Sequence, residues 1–208
     1  MSDAVDVSLR LPNPAPRPRL VLASGSPRRQ ELLREAGYAY AVHPADVDES
    51  DVPPRLDPAA LAEYLAGRKA EAVADRFPDD VVLAADTVVA LGGEPLGKPD
   101  DPAHARRMLG RLSGTAHSVV TGVAVVRRAT GFDQRARVTS GVHMRPLTAA
   151  EIDAYVASGQ WQGKAGGYGI QDRDPFVTRT TGSLTNIVGL PMDETAALLR
   201  AAGVEPAE

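Results

Sequence analysis

Two hydroxyls and two guanidinium groups crowd residues 24–29, as Ser24, Ser26, Arg28 and Arg29. The apolar run Leu20-Val21-Leu22-Ala23 precedes them and Gln30-Glu31-Leu32-Leu33 follows. This reads as a buried strand, a tight turn of small residues and a helix. Pro27 suits the first helical position, where a missing N–H costs nothing. The free N–H groups and the dipole at that helix end favour an anion. Two arginines in a first turn oppose the dipole, and a bound anion would offset that cost. Their planar forks match phosphate oxygens. The plain alternative is a strand-to-helix turn with two solvated arginines.

Other groups able to do chemistry are spread along the chain. Asp86 closes the apolar run Val81-Val82-Leu83-Ala84-Ala85. A carboxylate at the end of a buried strand is costly unless it is paired or functional; a turn cap or a local salt bridge is the plain reading. Glu49 lies in the acidic stretch Asp46-Val47-Asp48-Glu49, ordinarily a solvated loop. Lys69 stands on a helix beside Arg68, where most lysines are solvated, and Lys98 sits between Gly97 and Pro99. Residues 163–171 hold four glycines, which let backbone approach a ligand closely and equally suit a flexible surface loop. The four histidines show no HExxH or close metal-ligand spacing, and Trp161 is expected to pack a helix end. The segment from Gly92 to Lys98 fits half of a P-loop. That reading is set aside, because Pro99 stands where a hydroxyl must hold magnesium and Pro95 removes a loop N–H.

The stretch from Leu20 to Leu33 resembles the signature of the Maf family of nucleoside triphosphate pyrophosphatases. Four further blocks follow in family order. They are Leu83-Ala84-Ala85-Asp86-Thr87-Val88-Val89 with Gly97-Lys98-Pro99; Leu112-Ser113-Gly114 with His117 and Thr121-Gly122-Val123; residues 163–171; and Asn186-Ile187-Val188-Gly189-Leu190-Pro191. The resemblance implies an elongated α/β fold, with a two-lobed mixed sheet, flanking helices and a central cleft. It implies hydrolysis of a nucleoside triphosphate to the monophosphate and pyrophosphate. Asp86 is then the general base. Glu49, with Asp48 as its competitor, is the second carboxylate holding a divalent cation, Mg2+ or Mn2+. Arg28, Lys69 and Lys98 clamp the triphosphate, and Ser24 and Ser26 donate to phosphate or to metal-bound water. Arg28 and Thr87 occupy positions that track specificity, and Gln171 reads the base. Its amide carries donor and acceptor together, matching the O4/N3 edge of uracil or thymine. The pattern Ala165-Gly166-Gly167-Tyr168-Gly169-Ile170-Gln171 is that of the subgroup acting on dTTP and UTP. One departure stands out. The family usually has glycine after that glutamine, and this chain has Asp172, a change expected to reshape the base pocket. The rival from another class is a non-catalytic nucleotide-binding regulator of cell division; intact Asp86 and Lys98 favour catalysis.

The elements that must hold these groups follow from local pattern. Strands are expected at 19–23, 38–42, 81–91, 118–128, 132–144, 176–180 and 185–188. Helices are expected at 27–37, 58–75, from Pro102 with core face Ala105, Met108, Leu109 and Leu112, from Thr148 to Ser158, and at 191–202. On the second helix Leu61, Leu65 and Ala72 are taken as the apolar face. Thr148 and Glu151 are spaced as a capping box. Hairpin-linked strands among alternating helices argue for a mixed sheet.

The 208 residues are 43% hydrophobic, with net charge -4. That suits one globular domain at 19–204 after a disordered tail at 1–18, and argues against a nucleic-acid polymer as partner. No cysteine is present, so disulfides and thiolate metal sites are excluded. No apolar run spans a bilayer and no leader is legible, so no membrane partner is expected and the cytoplasm is the expected setting. A homodimer is a possible assembly.

Overall fold

The computed structural model describes residues 18–172 and 176–207. The tail expected at residues 1–18 lies, up to residue 17, outside the described residues, as do Arg173, Asp174 and Pro175. Among the described residues seven strands form one mixed sheet. They are β1 (Leu20–Leu22), β2 (Tyr40–Val42), β3 (Val81–Leu91), β4 (Glu94–Leu96), β5 (Ala116–Arg127), β6 (Phe132–Met144) and β7 (Val177–Thr181). The order is β2-β1-β3-β5-β6-β7, with β4 paired to the end of β3. β1 lies parallel to β2 and β3, and the other pairings are antiparallel. The helices are α1 (Pro27–Glu35), α2 (Pro58–Ala74), α3 (Pro102–Leu112), α4 (Ala149–Ala157), α5 (Leu184–Val188) and α6 (Met192–Ala201). Asp57 and Asp101 cap α2 and α3, and Thr148 and Glu151 close a capping box on α4.

β3 is the axis of the molecule. β1 is short and pairs only with its first residues, Leu20 opposite Val81 and Leu22 opposite Leu83. Side chains of β3 alternate between the two faces. On one face Val81, Leu83 and Ala85 join Leu33, Leu190 and Leu199 in one apolar cluster, while Val89 joins Leu109, Met144, Tyr155 and Trp161 in another. Thr87 falls between them. On the other face Val82 and Ala84 pack with Ala66, Ala70 and Val73, and Val88 packs with Ala62 and Val120. Asp86 falls between those. The strand therefore turns polar on both faces at one level, and this belt separates two apolar lobes. Across the ladder Asp86 faces Gly122. A Cβ at Gly122 would stand 2.3 Å from the Ala62 carbonyl oxygen, so only bare backbone lets α2 lie this close to the sheet.

Two expectations are corrected. Residues 185–188 are not a strand but belong to helix α5. Ser183 caps it by accepting the Asn186 N–H. The fully buried Asn186 amide donates to the Val119 carbonyl at 3.0 Å and to Ser140 Oγ at 2.9 Å. A short apolar run carries no period that separates strand from helix, and the partners of the buried amide decide. On α2, Ala72 is exposed, and the buried row is Ala62, Leu65, Ala66, Lys69, Ala70 and Val73. Close approach at Gly122 selects the alanine stripe for the core side, and Lys69 lies on that stripe. The segment after Gly92-Gly93 continues as β4, and α3 starts only at Pro102, which removes the P-loop reading structurally. Among the described residues no helix is long and apolar enough to cross a membrane.

Candidate active site

A cleft of about 520 Å3 opens where β1 stops and β3 continues, a volume usual for small-ligand sites. Ser24, Ser26, Arg28 and Arg29 line it from the β1–α1 turn. Asp86 and Thr87 line it from β3, Lys69 from α2, Glu49 and Lys98 from loops, and Gln171 from the glycine-rich segment. The fold thus brings these groups, far apart in the chain, into one cavity, while Asp48, His117 and Trp161 lie outside its lining.

At the turn, Ser26 is the N-cap of α1 but makes no side-chain cap. The first-turn N–H groups are left for another acceptor. Among the described residues Arg28 has no hydrogen-bond or ion-pair partner. Arg29 differs. Its Nε donates to the Gly189 carbonyl at 2.8 Å, Nη1 to Ser24 Oγ at 3.0 Å and Nη2 to Thr87 Oγ1 at 3.1 Å. Three of the five guanidinium N–H bonds serve the protein, so Arg29 is a strut joining α1, β3 and the turn after α5. The order of donors continues inward. Thr87 and Thr121 hydroxyls meet at 3.0 Å, and Thr121 donates to the Asn186 carbonyl at 3.1 Å. Burial lowers the Arg29 pKa, with Asp86 opposing it; guanidinium remains charged.

The opposite face of β3 carries the acids. Lys69 Nζ lies 2.5 Å from Asp86 Oδ1 and 2.8 Å from Glu49 Oε1. Lys98 Nζ lies 3.1 Å from Glu49 Oε2. The side chains of Lys69 and Asp86 are 9% and 8% exposed, and a pair so buried holds its charges only because each satisfies the other. Burial pushes the Glu49 carboxyl up, but the hydrogen bond and charge of Lys69, and then Lys98, outweigh it and hold it below the usual range. Asp48 is turned elsewhere, its carboxylate accepting from the Ser50 N–H and hydroxyl. Among the described residues no three metal-ligating side chains converge. Asp86 and Glu49 do converge on one ammonium. Two carboxylates fit magnesium, which is held by one or two of them together with substrate phosphates and water.

The third wall is the glycine-rich segment. Gln171 is exposed and lines the cleft. Asp172, expected to reshape the base pocket, does not itself line the cleft; its carboxylate is spent on Tyr155, Lys164 and the Gly169 N–H, in the turn next to Gln171. Beneath this wall His117 Nε2 meets the Tyr168 hydroxyl at 2.6 Å. Trp161 is buried and donates to the Val156 carbonyl at the end of α4. Sequence reasoning missed Tyr155, Thr121 and the Asn186 carbonyl as supports of the site. Nothing local marks them, because each is joined to the cleft only through strand register or loop closure. The orientation of Lys69 did have a signal, the alanine stripe at positions 62, 66 and 70.

The family described as Maf-like protein matches residues 19–202. The chain belongs to the Maf family. Among similar chains is a dTTP/UTP pyrophosphatase of Anaeromyxobacter dehalogenans, 53% identical over 189 residues, which are 89% of this chain and 95% of that one. Another, a dTTP/UTP pyrophosphatase of Moorella thermoacetica, is 48% identical over 188 residues, 90% of this chain and 96% of that one. A solved nucleoside-triphosphatase, the dITP/XTP pyrophosphatase of Mycobacterium abscessus, is 17% identical with a TM-score of 0.44, covering 88% of this chain and 94% of that one. That overlap is too loose to bear on fold or function.

Proposed function

We propose that this chain hydrolyses dTTP and UTP to the monophosphate and pyrophosphate, with a divalent cation, Mg2+ or Mn2+, held between Asp86 and Glu49. The observation that carries the reading is the pair of carboxylates bridged by Lys69, set in a cleft beside the uncapped start of α1. Relatives at about half identity over most of the chain carry that activity in their names.

Each residue has a part in this reading. Arg28, Lys98 and the first-turn N–H groups of α1 bind the triphosphate, with Ser26 donating to it. Arg29 holds Ser24 and Thr87 in place. Lys69 passes from the carboxylates to the incoming phosphates, which relieves Asp86 and Glu49 of their ammonium. Asp86 Oδ2, which has no hydrogen-bond partner among the described residues, accepts a proton from the attacking water. The bond between the α-phosphorus and its bridging oxygen breaks, and pyrophosphate leaves. Asp86 and Glu49 would hold the cation, which when bound would supply charge neutralisation at the phosphate oxygens and make the water easier to deprotonate. Gln171 reads the pyrimidine edge. A cytoplasmic setting belongs to this reading, since the chain has no cysteine to suit an oxidising compartment.

The test is a panel of nucleoside triphosphates with magnesium, scored for pyrophosphate. Pyrophosphate from dTTP and UTP, lost with excess chelator, is the expected result. Orthophosphate as product, or turnover indifferent to chelator, overturns the reading.

A further inference from the structure

We infer that Asp172 is a positioning residue that sets base selectivity, by clamping the turn that carries Gln171 to helix α4. The inference rests on the pyrimidine nucleotide reading above. The side chains of Asp172 and Lys164 are each only 12% exposed and form an ion pair. The other carboxylate oxygen accepts from the Tyr155 hydroxyl and, at 2.9 Å, from the Gly169 N–H. The backbone closes the same turn, the Asp172 N–H donating to the Gly169 carbonyl at 3.2 Å. One carboxylate thus plugs the turn at 169–172 from within.

The two side chains close over the turn. A Cβ on Gly169 would stand 2.9 Å from both Asp172 Oδ1 and Lys164 Nζ. Tyr155 is anchored in turn, its ring meeting Phe176 edge to face at 4.9 Å just before β7. Burial first, and then the bond to Asp172, push the Tyr155 pKa up, so the hydroxyl stays a donor. Gln171 is the contrast. It is exposed to the cleft and has no hydrogen-bond partner among the described residues, yet its neighbour Asp172 is held at four points. Where its amide can reach is set by that clamp. The clamp also occupies the Lys164 ammonium, which lines the cleft.

The experiment compares wild type with Asp172→Ala, Asp172→Asn and Tyr155→Phe by hydrogen exchange and by steady-state kinetics on dTTP, UTP and CTP with magnesium. In Asp172→Ala the Gly169 amide is expected to exchange about tenfold faster or more. KM for UTP should rise about 5- to 20-fold with kcat within about threefold, and the UTP/CTP ratio of kcat/KM should shrink about tenfold, because a displaced amide no longer rejects the wrong edge. Asp172→Asn keeps an acceptor and should recover part of the loss. Tyr155→Phe removes one hydroxyl from an intact ring and should fall between; it carries the test if Asp172→Ala does not fold. Unchanged Gly169 exchange, or selectivity unaltered in the variants while the wild type is active, overturns the inference alone. So does a fall in kcat with KM and ratio unmoved, the mark of a merely structural role. A wild type that turns over no pyrimidine triphosphate overturns the activity reading, and the selectivity role falls with it.

Discussion

The two ends of the cleft are held by different means. At the acidic end Asp86 rides on an 11-residue strand and Lys69 on a 17-residue helix packed directly on it. At the glycine-rich end Gln171 stands on a turn closed by the carboxylate of its neighbour. Regular elements with buried partners on both sides tolerate little displacement, which suits groups that must meet a reacting phosphorus within tenths of an ångström. A loop held by a few polar contacts is easier to loosen, and loops on a rigid scaffold are where recognition is usually carried. On this comparison, damage at the acidic end should strike turnover, and damage at the loop end should strike discrimination.

The largest effect is expected from Asp86→Asn. The shape is kept and the proton acceptor lost, so kcat should fall by about 10²- to 10⁴-fold with nucleotide binding largely retained. Near-normal kcat would make Asp86 structural, move the base to Glu49 and erase the contrast. Lys69→Met comes next. It leaves Asp86 buried without its counter-charge, and loss of one partner of a buried pair costs about 3–5 kcal/mol. Denaturant unfolding should report a loss near the lower end of that range, together with lost turnover. A variant as stable as wild type would mean that water already reaches this pair freely.

His117 tests the footing of the loop wall. Burial, with a smaller contribution from His143, lowers its pKa to about 4. Its buried Nδ1 has no hydrogen-bond partner among the described residues. The unfolded chain takes up a proton near pH 6.5 that the folded chain refuses until about pH 4. Stability from this group is therefore full above pH 6.5 and is lost as pH falls towards 4. The loss should be on the order of 2 kcal/mol. Unfolding midpoints at pH 7 and pH 4.5 should differ less in His117→Gln than in wild type; equal slopes would remove His117 as the cause. The smallest effect is expected from Gln171→Ala. The UTP/CTP ratio of kcat/KM should drop by about tenfold, or about 1.4 kcal/mol, with kcat for the best substrate little changed. Unchanged ranking and ratios across dTTP, UTP, CTP and GTP would mean that Gln171 does not read the base.

Much of the architecture was legible in the chain before any coordinates. Apolar runs of high β propensity marked β3, β5 and β6. The pair Thr148 and Glu151 marked the start of α4, and the face Ala105, Met108, Leu109 and Leu112 of α3 is buried as its spacing predicts. The strand expected at 185–188 is instead part of a helix, because four residues hold neither period and a buried amide chose the helix.

The sequence by itself determined the residue types of the cleft, since strand-turn-helix signals and the ordered blocks are local and survive without a partner. Only the tertiary structure decided how those residues divide the work. Arg28 and Arg29 are adjacent and chemically alike, yet the Arg28 side chain has no partner among the described residues and that of Arg29 is consumed by Ser24, Thr87 and Gly189, residues up to 160 positions away. Lys69 and Asp86 meet because Gly122, on a third element, lets α2 sit against the sheet. Asp172 turns inward because Tyr155 and Lys164 wait there. Charges and hydrogen bonds act over a few ångströms, and which groups come that close is a property of the packed chain.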